Sequence, residues 1–350
     1  METFKVFLIT VIVFGVLIFV HELGHFIAAR IFGVRVNEFA IGMGPKLFSY
    51  KGKKSGTLYT LRLLPIGGYN SMEGEDGDGD GSEDAFCAKP VWQRMIIIVS
   101  GALMNILLGF IIMTVIVLTT KNYASNVIDV FVKSEGMTEY PTEYGGLKSG
   151  DKIIKINGDR VHIADEVSYA IFNEGGKPVN VTVIRDGKKQ IIENVQFPTA
   201  ESGGVVYGIR NFYFEVEPKN LGSTLKHTFY GSINSMVQIF DSIKGIISGK
   251  YGFKDVSGPI GVGEAIGEAA KVGASTLLTL TVLLAMNLGI FNLLPIPALD
   301  GGRLVFLIIE AIRRKPLPKD VEATVNGVGM LILLGLVVVV AFKDVFMIFR

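Results

Sequence analysis

The amino-acid sequence predicts a polytopic α-helical membrane protein with four transmembrane helices, a membrane-associated β-hairpin region and a small extracytoplasmic α/β domain. Three observations predict it. Of 350 residues, 49% are hydrophobic and only 19% charged, with a mean hydropathy of +0.44, whereas a soluble globular chain carries about 25% charge. The apolar excess is gathered into four stretches, each near the ~20 residues that cross ~30 Å of hydrocarbon. Between the second and third stretches the pattern changes to short β-branched runs separated by turn signals. The 34 basic and 33 acidic residues nearly cancel, so no electrostatic footprint for a nucleic acid exists. The single cysteine, Cys87, excludes an intramolecular disulfide framework and a cysteine-rich metal site.

Span one is Phe4–Val20, charged only at Lys5, whose amine can snorkel. It reads as a span and not as a signal peptide, because it runs on into helix-compatible sequence with no small-residue cleavage site. That continuation is His21-Glu-Leu-Gly-His25, which on a helix sets two imidazoles one turn apart on one face. Both can bind one zinc ion, and Glu22 can take a proton from a metal-activated water. Ionisable side chains against an apolar span are costly and mark a functional site.

Glu38 to Tyr69, with its Tyr59-Thr-Leu-Arg-Leu-Leu alternation and several glycines, reads as a hairpin sheet dipping toward the membrane. Its edge could hold an unwound peptide as an added strand. Glu73 to Asp84 echoes a calcium loop through Asp76, Asp78, Asp80 and Gly81, but Cys87 stands where that loop needs glutamate. It reads as a solvated segment.

Span two is Met95–Leu118. After it, Val127–Val132, Lys152–Ile156 and a Val179–Val195 hairpin closed by Asp186-Gly187 read as strands, with a short helix over Ile163–Phe172. Phe212–Glu217 reads as a further strand. Leu225–Ile247 is amphipathic and fits a helix lying along a membrane surface. Basic residues between spans one and two, and again from Arg303 to Lys319, make both those loops cytoplasmic. Both termini and the segment from about Lys121 to Lys271 then lie on the far side. The expected divisions are 1–120 and 271–350 for the two membrane halves, 121–200 for the α/β domain and 201–270 for a linker with the amphipathic helix.

Span three is Leu277–Leu299 and span four Val325–Phe342. A catalytic zinc needs a third protein ligand and an open position. His162 and His227 fall on the opposite side of the membrane, whereas Asp300, at the end of span three, falls on the same side as His21 and His25. Pro295 and Pro297 break the helical ladder just before it, as is tolerated where backbone lines a protein-walled cavity. Asn287 and Asn292 are polar within an apolar span. They could hydrogen-bond freed substrate backbone, or serve as interhelical packing.

Taken together, HELGH after span one, an α/β insert after span two and Asn292-Leu-Leu-Pro-Ile-Pro-Ala-Leu-Asp300-Gly-Gly resemble the site-2 protease family of intramembrane zinc metalloproteases, in its bacterial regulator-cleaving branch. Gly42-Met-Gly44-Pro45, Leu64–Tyr69, Trp92-Gln-Arg94, Asn105 and Ser257–Gly261 also match, while Gly101-Ala102 departs from the family's Gly-Pro. The string Gly146–Val161 is similar to PDZ domains of bacterial proteases, which take extended chain ends as an added strand. A plain α/β domain without peptide binding is the other reading of that segment. The resemblance implies a zinc endopeptidase with Glu22 as catalytic residue and His21, His25 and Asp300 as Zn2+ ligands. It also implies substrate contacts at Asn287, Asn292, Pro295 and Pro297, and a multi-pass plasma-membrane location. The substrates it implies are single-span membrane proteins, namely anti-sigma factors or remnant signal peptides, met within the lipid bilayer. The competing class is a non-catalytic membrane PDZ scaffold, which leaves the convergence of His21, His25 and Asp300 unexplained.

Overall fold

A computed structural model describes residues 2–75, 81–133, 141–202 and 204–348. In chain order the elements are α1 (Glu2–Ile31), β1 (Val36–Lys51), β2 (Leu58–Met72), α2 (Val91–Thr119), β3 (Tyr123–Phe131), β4 (Glu143–Tyr144), β5 (Leu147–Lys148), β6 (Lys152–Ile156), β7 (Asp159–Arg160), α3 (Ala164–Glu174), β8 (Val179–Arg185), β9 (Lys188–Val195), β10 (Thr199–Ser202), β11 (Val205–Gly208), β12 (Phe212–Glu217), α4 (Leu221–Ile247), α5 (Pro259–Val272), α6 (Ala274–Leu293), α7 (Asp300–Arg313) and α8 (Lys319–Ile348). Contacts divide the chain into two units, 1–112 with 256–350, and 113–255.

Among the described residues of the chain, α1, α2, α6 and α8 are long and apolar enough to cross a membrane. Phe4, Phe7, Ile12 and Val16 of α1, and Leu331, Ile332 and Leu334 of α8, are exposed, as suits side chains solvated by lipid. Two expected span boundaries need correction. Span one does not stop at Val20, because α1 runs through the histidine pair to Ile31. Span three does not reach Leu299, because α6 ends at Leu293 and Asp300 opens a new helix, α7. Pro295 and Pro297 have no backbone N–H to continue the ladder, and Ala298 lies in the left-handed region at φ 72°. The acidic positions Asp76, Asp78 and Asp80 lie outside the described residues.

In the first unit β1 and β2 form an antiparallel pair in which Val36–Ile41 is flanked on both sides. Glu38 faces Ser71 on one side and Leu58 on the other, and Ile41 faces Gly68 and Leu61. The foreseen hairpin over Glu38 to Tyr69 is therefore present. A buried core gathers Ala28, Ala29, Ile97, Ile98 and Leu307 from α1, α2 and α7, with Val34 from the α1–β1 connection. Arg94 of α2 grips Glu310 of α7 through two nitrogens at 3.1 and 2.5 Å. The Asp344 carboxylate of α8 accepts the Gly258 and Gly261 amides at the start of α5, at 3.3 and 2.9 Å.

In the second unit five strands are ordered β12-β3-β6-β8-β9, with β7 on β6. The β6, β8, β9 and β12 ranges agree with the sequence reading, and the short helix is α3. Their core comprises Ile128, Phe131, Leu147, Ile153, Val167, Val181 and Phe212, among others. The expected amphipathic helix is α4. Its packed side is small and polar, with Gly231, Ser232, Asn234 and Ser235 buried, while Leu225, Phe229, Val237, Phe240 and Ile247 are exposed.

Candidate active site

The site is assembled inside the first unit from α1, α2, β2 and the start of α7. On α1 the spacing of four residues stacks the His21 and His25 rings edge to face at 4.8 Å between centroids. The helix that carries them can approach α2 closely because glycines stand at the crossing. A methyl group on Gly24 would fall 2.4 Å from the Ser100 carbonyl oxygen, and one on Gly101 would fall 2.3 Å from His25 Nε2. Small residues at such crossings let membrane helices pack backbone to backbone.

Asp300 reaches the same point from α7. Its position in the first turn suits a carboxylate, since the helix dipole is positive there. The next two residues must be glycine. A Cβ on Gly301 would lie 2.0 Å from the Leu294 carbonyl oxygen, and one on Gly302 would lie 2.5 Å from that of Ile296. The double glycine thus lets the broken chain at Leu294–Leu299 fold back on α7 and present the carboxylate.

His21 Nε2 and His25 Nε2 lie 3.2 Å apart, and Asp300 Oδ2 is 3.2 Å from the first and 3.3 Å from the second. A tetrahedral zinc with bonds of ~2.0–2.1 Å needs ligand atoms about 3.3–3.4 Å apart, so this triangle fits zinc. The protonation pattern fits as well. His25 Nδ1 lies 2.8 Å from the Ile97 carbonyl oxygen, which only accepts, so Nδ1 carries the proton and Nε2 keeps its lone pair. Among the described residues, Asp300 Oδ2 is buried without a hydrogen-bond donor. Asn105 Nδ2 of α2 lies 3.4 Å from His21 Nδ1, and among the described residues its Oδ1 has no partner. Turned over, that amide accepts Nδ1–H through Oδ1 and frees His21 Nε2 in the same way.

His21, His25 and Asp300 line a cavity of about 310 Å³ together with Glu22, Asn70 and Arg303. Among the described residues, His21, His25 and Asp300 are the group of side chains able to share one ion. His162 and His227 pair instead with Glu166 and Glu217 in the second unit. Asn287 is exposed on α6 and Asn292 half-buried, while Pro297 packs against Gly329 of α8. None of Asn287, Asn292, Pro295 and Pro297 lines the cavity. The sequence reading passed over the Ile97 carbonyl, which no side-chain pattern reveals, and Asn70, whose signal was an amide side chain inside a strand.

A family description, Peptidase family M50, matches residues 9–336. A Clostridium perfringens protein provisionally designated a zinc metalloprotease is 38% identical over 333 residues, 95% of this chain and 96% of the relative. The zinc metalloprotease RasP of Geobacillus kaustophilus is 32% identical, with 98% of each chain covered. The regulator of sigma-W protease RasP of Bacillus subtilis is 30% identical, covering 96% of this chain and 97% of its own.

Proposed function

The chain belongs to peptidase family M50, the site-2 proteases, and is a zinc metalloprotease; from that premise we propose that it hydrolyses peptide bonds in or near the transmembrane segments of single-span membrane proteins. The observation that carries this reading is the His21, His25 and Asp300 triangle, two corners of which stand on a helix that is apolar and long enough to span a bilayer. A substrate that meets it does so at membrane depth.

In this reading His21, His25 and Asp300 hold the ion, and the Ile97 carbonyl and Asn105 orient the two imidazoles. Zinc, when bound, supplies Lewis acidity toward water and the scissile carbonyl. Glu22 accepts a proton as the water oxygen bonds to the carbonyl carbon. It returns that proton to the amine nitrogen as the C–N bond breaks. A substrate helix must unwind first, because its peptide groups are bonded to one another. The Leu294–Leu299 break, with Pro295, Pro297 and the neighbouring Asn292 and Asn287, is the segment we assign to receiving the unwound chain.

Anti-sigma factors and remnant signal peptides are the substrate class, supported by the Bacillus subtilis relative's designation as a regulator of sigma-W protease. Residues 1–120 and 271–350 are the membrane halves, 121–200 a PDZ-like domain acting as size filter or dock, and 201–270 the linker. The excess of lysine and arginine between spans one and two supports a cytoplasmic-side active site, with the PDZ-like domain extracytoplasmic in a multi-pass plasma-membrane protein.

Reconstitution of the purified protein with a single-span substrate tests the proposal. Glu22→Gln is expected to keep its zinc and lose cleavage by at least ~100-fold, and Asp300→Ala to lose zinc by metal analysis. A Glu22→Gln variant that cleaves at the parental rate with zinc bound overturns Glu22's role.

A further inference from the structure

Asn70 is 8% exposed, and among the described residues neither its Nδ2 nor its Oδ1 has a hydrogen-bond partner. It lines the cavity that holds His21, Glu22, His25 and Asp300. Alternation along β2 puts Gly68, Asn70 and Met72 on one face, and that face meets α1: a methyl on Gly68 would lie 3.2 Å from Glu22 Cγ. Asn70 is thus held two residues from the point where the strand touches the Glu22 side chain.

This residue is hard to explain by folding. Asparagine is depleted in strands, and each orphaned buried polar group is destabilising. Two such atoms on one side chain, in a position where an aliphatic residue would pack at no such cost, form a local conflict of the kind that marks function. Its chemistry narrows the function. A carboxamide offers donors on one arm and an acceptor on the other, which suits neither a cation nor an anion alone. An extended peptide residue presents one N–H and one C=O on the same side, as when two residues of facing strands exchange both bonds. Unwinding leaves those groups in the substrate without their helical partners.

We propose that Asn70 is a substrate-holding residue whose carboxamide clamps one residue of the unwound substrate beside the scissile bond. Nδ2 donates to a substrate carbonyl and Oδ1 accepts a substrate N–H. The clamp fixes the strand's register over the cavity, and so determines which peptide bond lies within reach of Glu22. The inference rests on the proteolytic reading and adds to it a residue from the hairpin.

The test uses the full-length protein in proteoliposomes with a single-span substrate, and two variants. Asn70→Val removes both polar atoms and suits a strand; Asn70→Asp keeps the shape and exchanges the donor arm for an acceptor. Asn70→Val is expected to hold zinc and melt at the parental temperature or above, because the orphaned atoms are gone. Its kcat/KM is expected to fall about 10- to 100-fold. Introduced into Glu22→Gln, the same change weakens binding of a fluorescent single-span peptide by a similar factor. Should Asn70→Val melt early, Asn70→Asp decides, with a loss of at least ~10-fold expected. Parental turnover and parental peptide binding in a stable, zinc-loaded Asn70→Val protein overturn the inference alone. Absence of cleavage by the zinc-loaded parent itself overturns the proteolytic reading, and parental peptide binding by the Glu22→Gln, Asn70→Val protein then shows separately whether the clamp also fails.

Discussion

At the scale of single residues, the triangle of His21, His25 and Asp300 depends on groups that carry no charge. Gly101 contributes an absence: its missing side chain is the space into which the His25 ring fits, since a Cβ there would approach Nε2 to 2.3 Å. That ring cannot yield easily. Nδ1 is tied to the Ile97 carbonyl, and a ring displaced from that bond also loses the tautomer that leaves Nε2 free for a metal. Gly101→Ala should therefore act on the metal more than on folding. Its helix gains propensity by roughly 1 kcal/mol, yet zinc affinity should fall about 10- to 100-fold, as when second-layer partners of a ligand are lost. Competition with a calibrated chelator measures the affinity, and circular dichroism checks that helix content is kept. Unaltered zinc affinity in that variant would mean that α1 and α2 separate without cost at this crossing.

At the scale of elements, the β1–β2 hairpin places Asn70 beside α1, and a polar network braces its middle. Glu38 accepts hydrogen bonds from Thr60 Oγ1 at 2.7 Å and Arg62 at 2.8 Å, and Arg62 also donates to Tyr69 at 2.5 Å and to the Gly44 carbonyl at 2.9 Å. Burial alone would raise the Glu38 carboxyl, but the bonds from Thr60, Arg62 and Tyr69 and the Lys46 ammonium outweigh it and hold it at about 2. A carboxyl depressed on folding stabilises fully above its unfolded value near 4.5 and loses that contribution as pH falls toward 2. The melting temperature of the parent should exceed that of Glu38→Gln by a constant margin above about pH 5, and the margin should shrink steadily between pH 4.5 and 2. A margin independent of pH would dissociate Glu38 from hairpin stability. This hairpin, and most strands of the second unit, were legible from alternation and turn residues, because period-two patterning is local. Hydropathy alone misplaced the ends of spans one and three, although the helix-compatible run through His21-Glu-Leu-Gly-His25 and the break at Pro295 and Pro297 were both legible; the left-handed Ala298 left no pattern. That Asp300 would lie beside His21 and His25 was legible, because topology left few acidic or imidazole side chains on their side of the membrane. Asn70 was not, since its significance lies in partners it lacks, and only packing shows those.

At the scale of the whole molecule, the apolar surplus of the composition is unevenly divided, and the division predicts how the chain can be cut. The second unit's sheet has a core whose buried residues all lie between Ile128 and Phe212, so no side chain of α2 or α4 is needed to fill it. Its first and last strands are neighbours: β3 pairs with β12, Phe131 opposite Phe212 and Ala124 opposite Val216. The chain therefore enters and leaves this sheet on adjacent strands, the arrangement that tolerates insertion of one folding unit into another. Inside it, the fully buried Asp151 carboxylate is satisfied by the Arg185 guanidinium through two contacts of 2.7 Å and by the Lys148 amide at 2.8 Å, so the α/β unit contains its own charge compensation. Residues 121–219, expressed alone, are expected to be soluble and to unfold in one cooperative thermal transition, with an enthalpy of about 60–80 kcal/mol for a domain near 100 residues. Arg185→Ala in the same fragment leaves a buried carboxylate unpaired and should cost about 3–5 kcal/mol, enough to unfold much of a small domain at room temperature. Circular dichroism melts and dispersed amide NMR spectra read both outcomes. A fragment that aggregates or melts without cooperativity would show that the sheet draws its stability from the helices that flank it, and that the chain folds as one body despite its two sets of contacts.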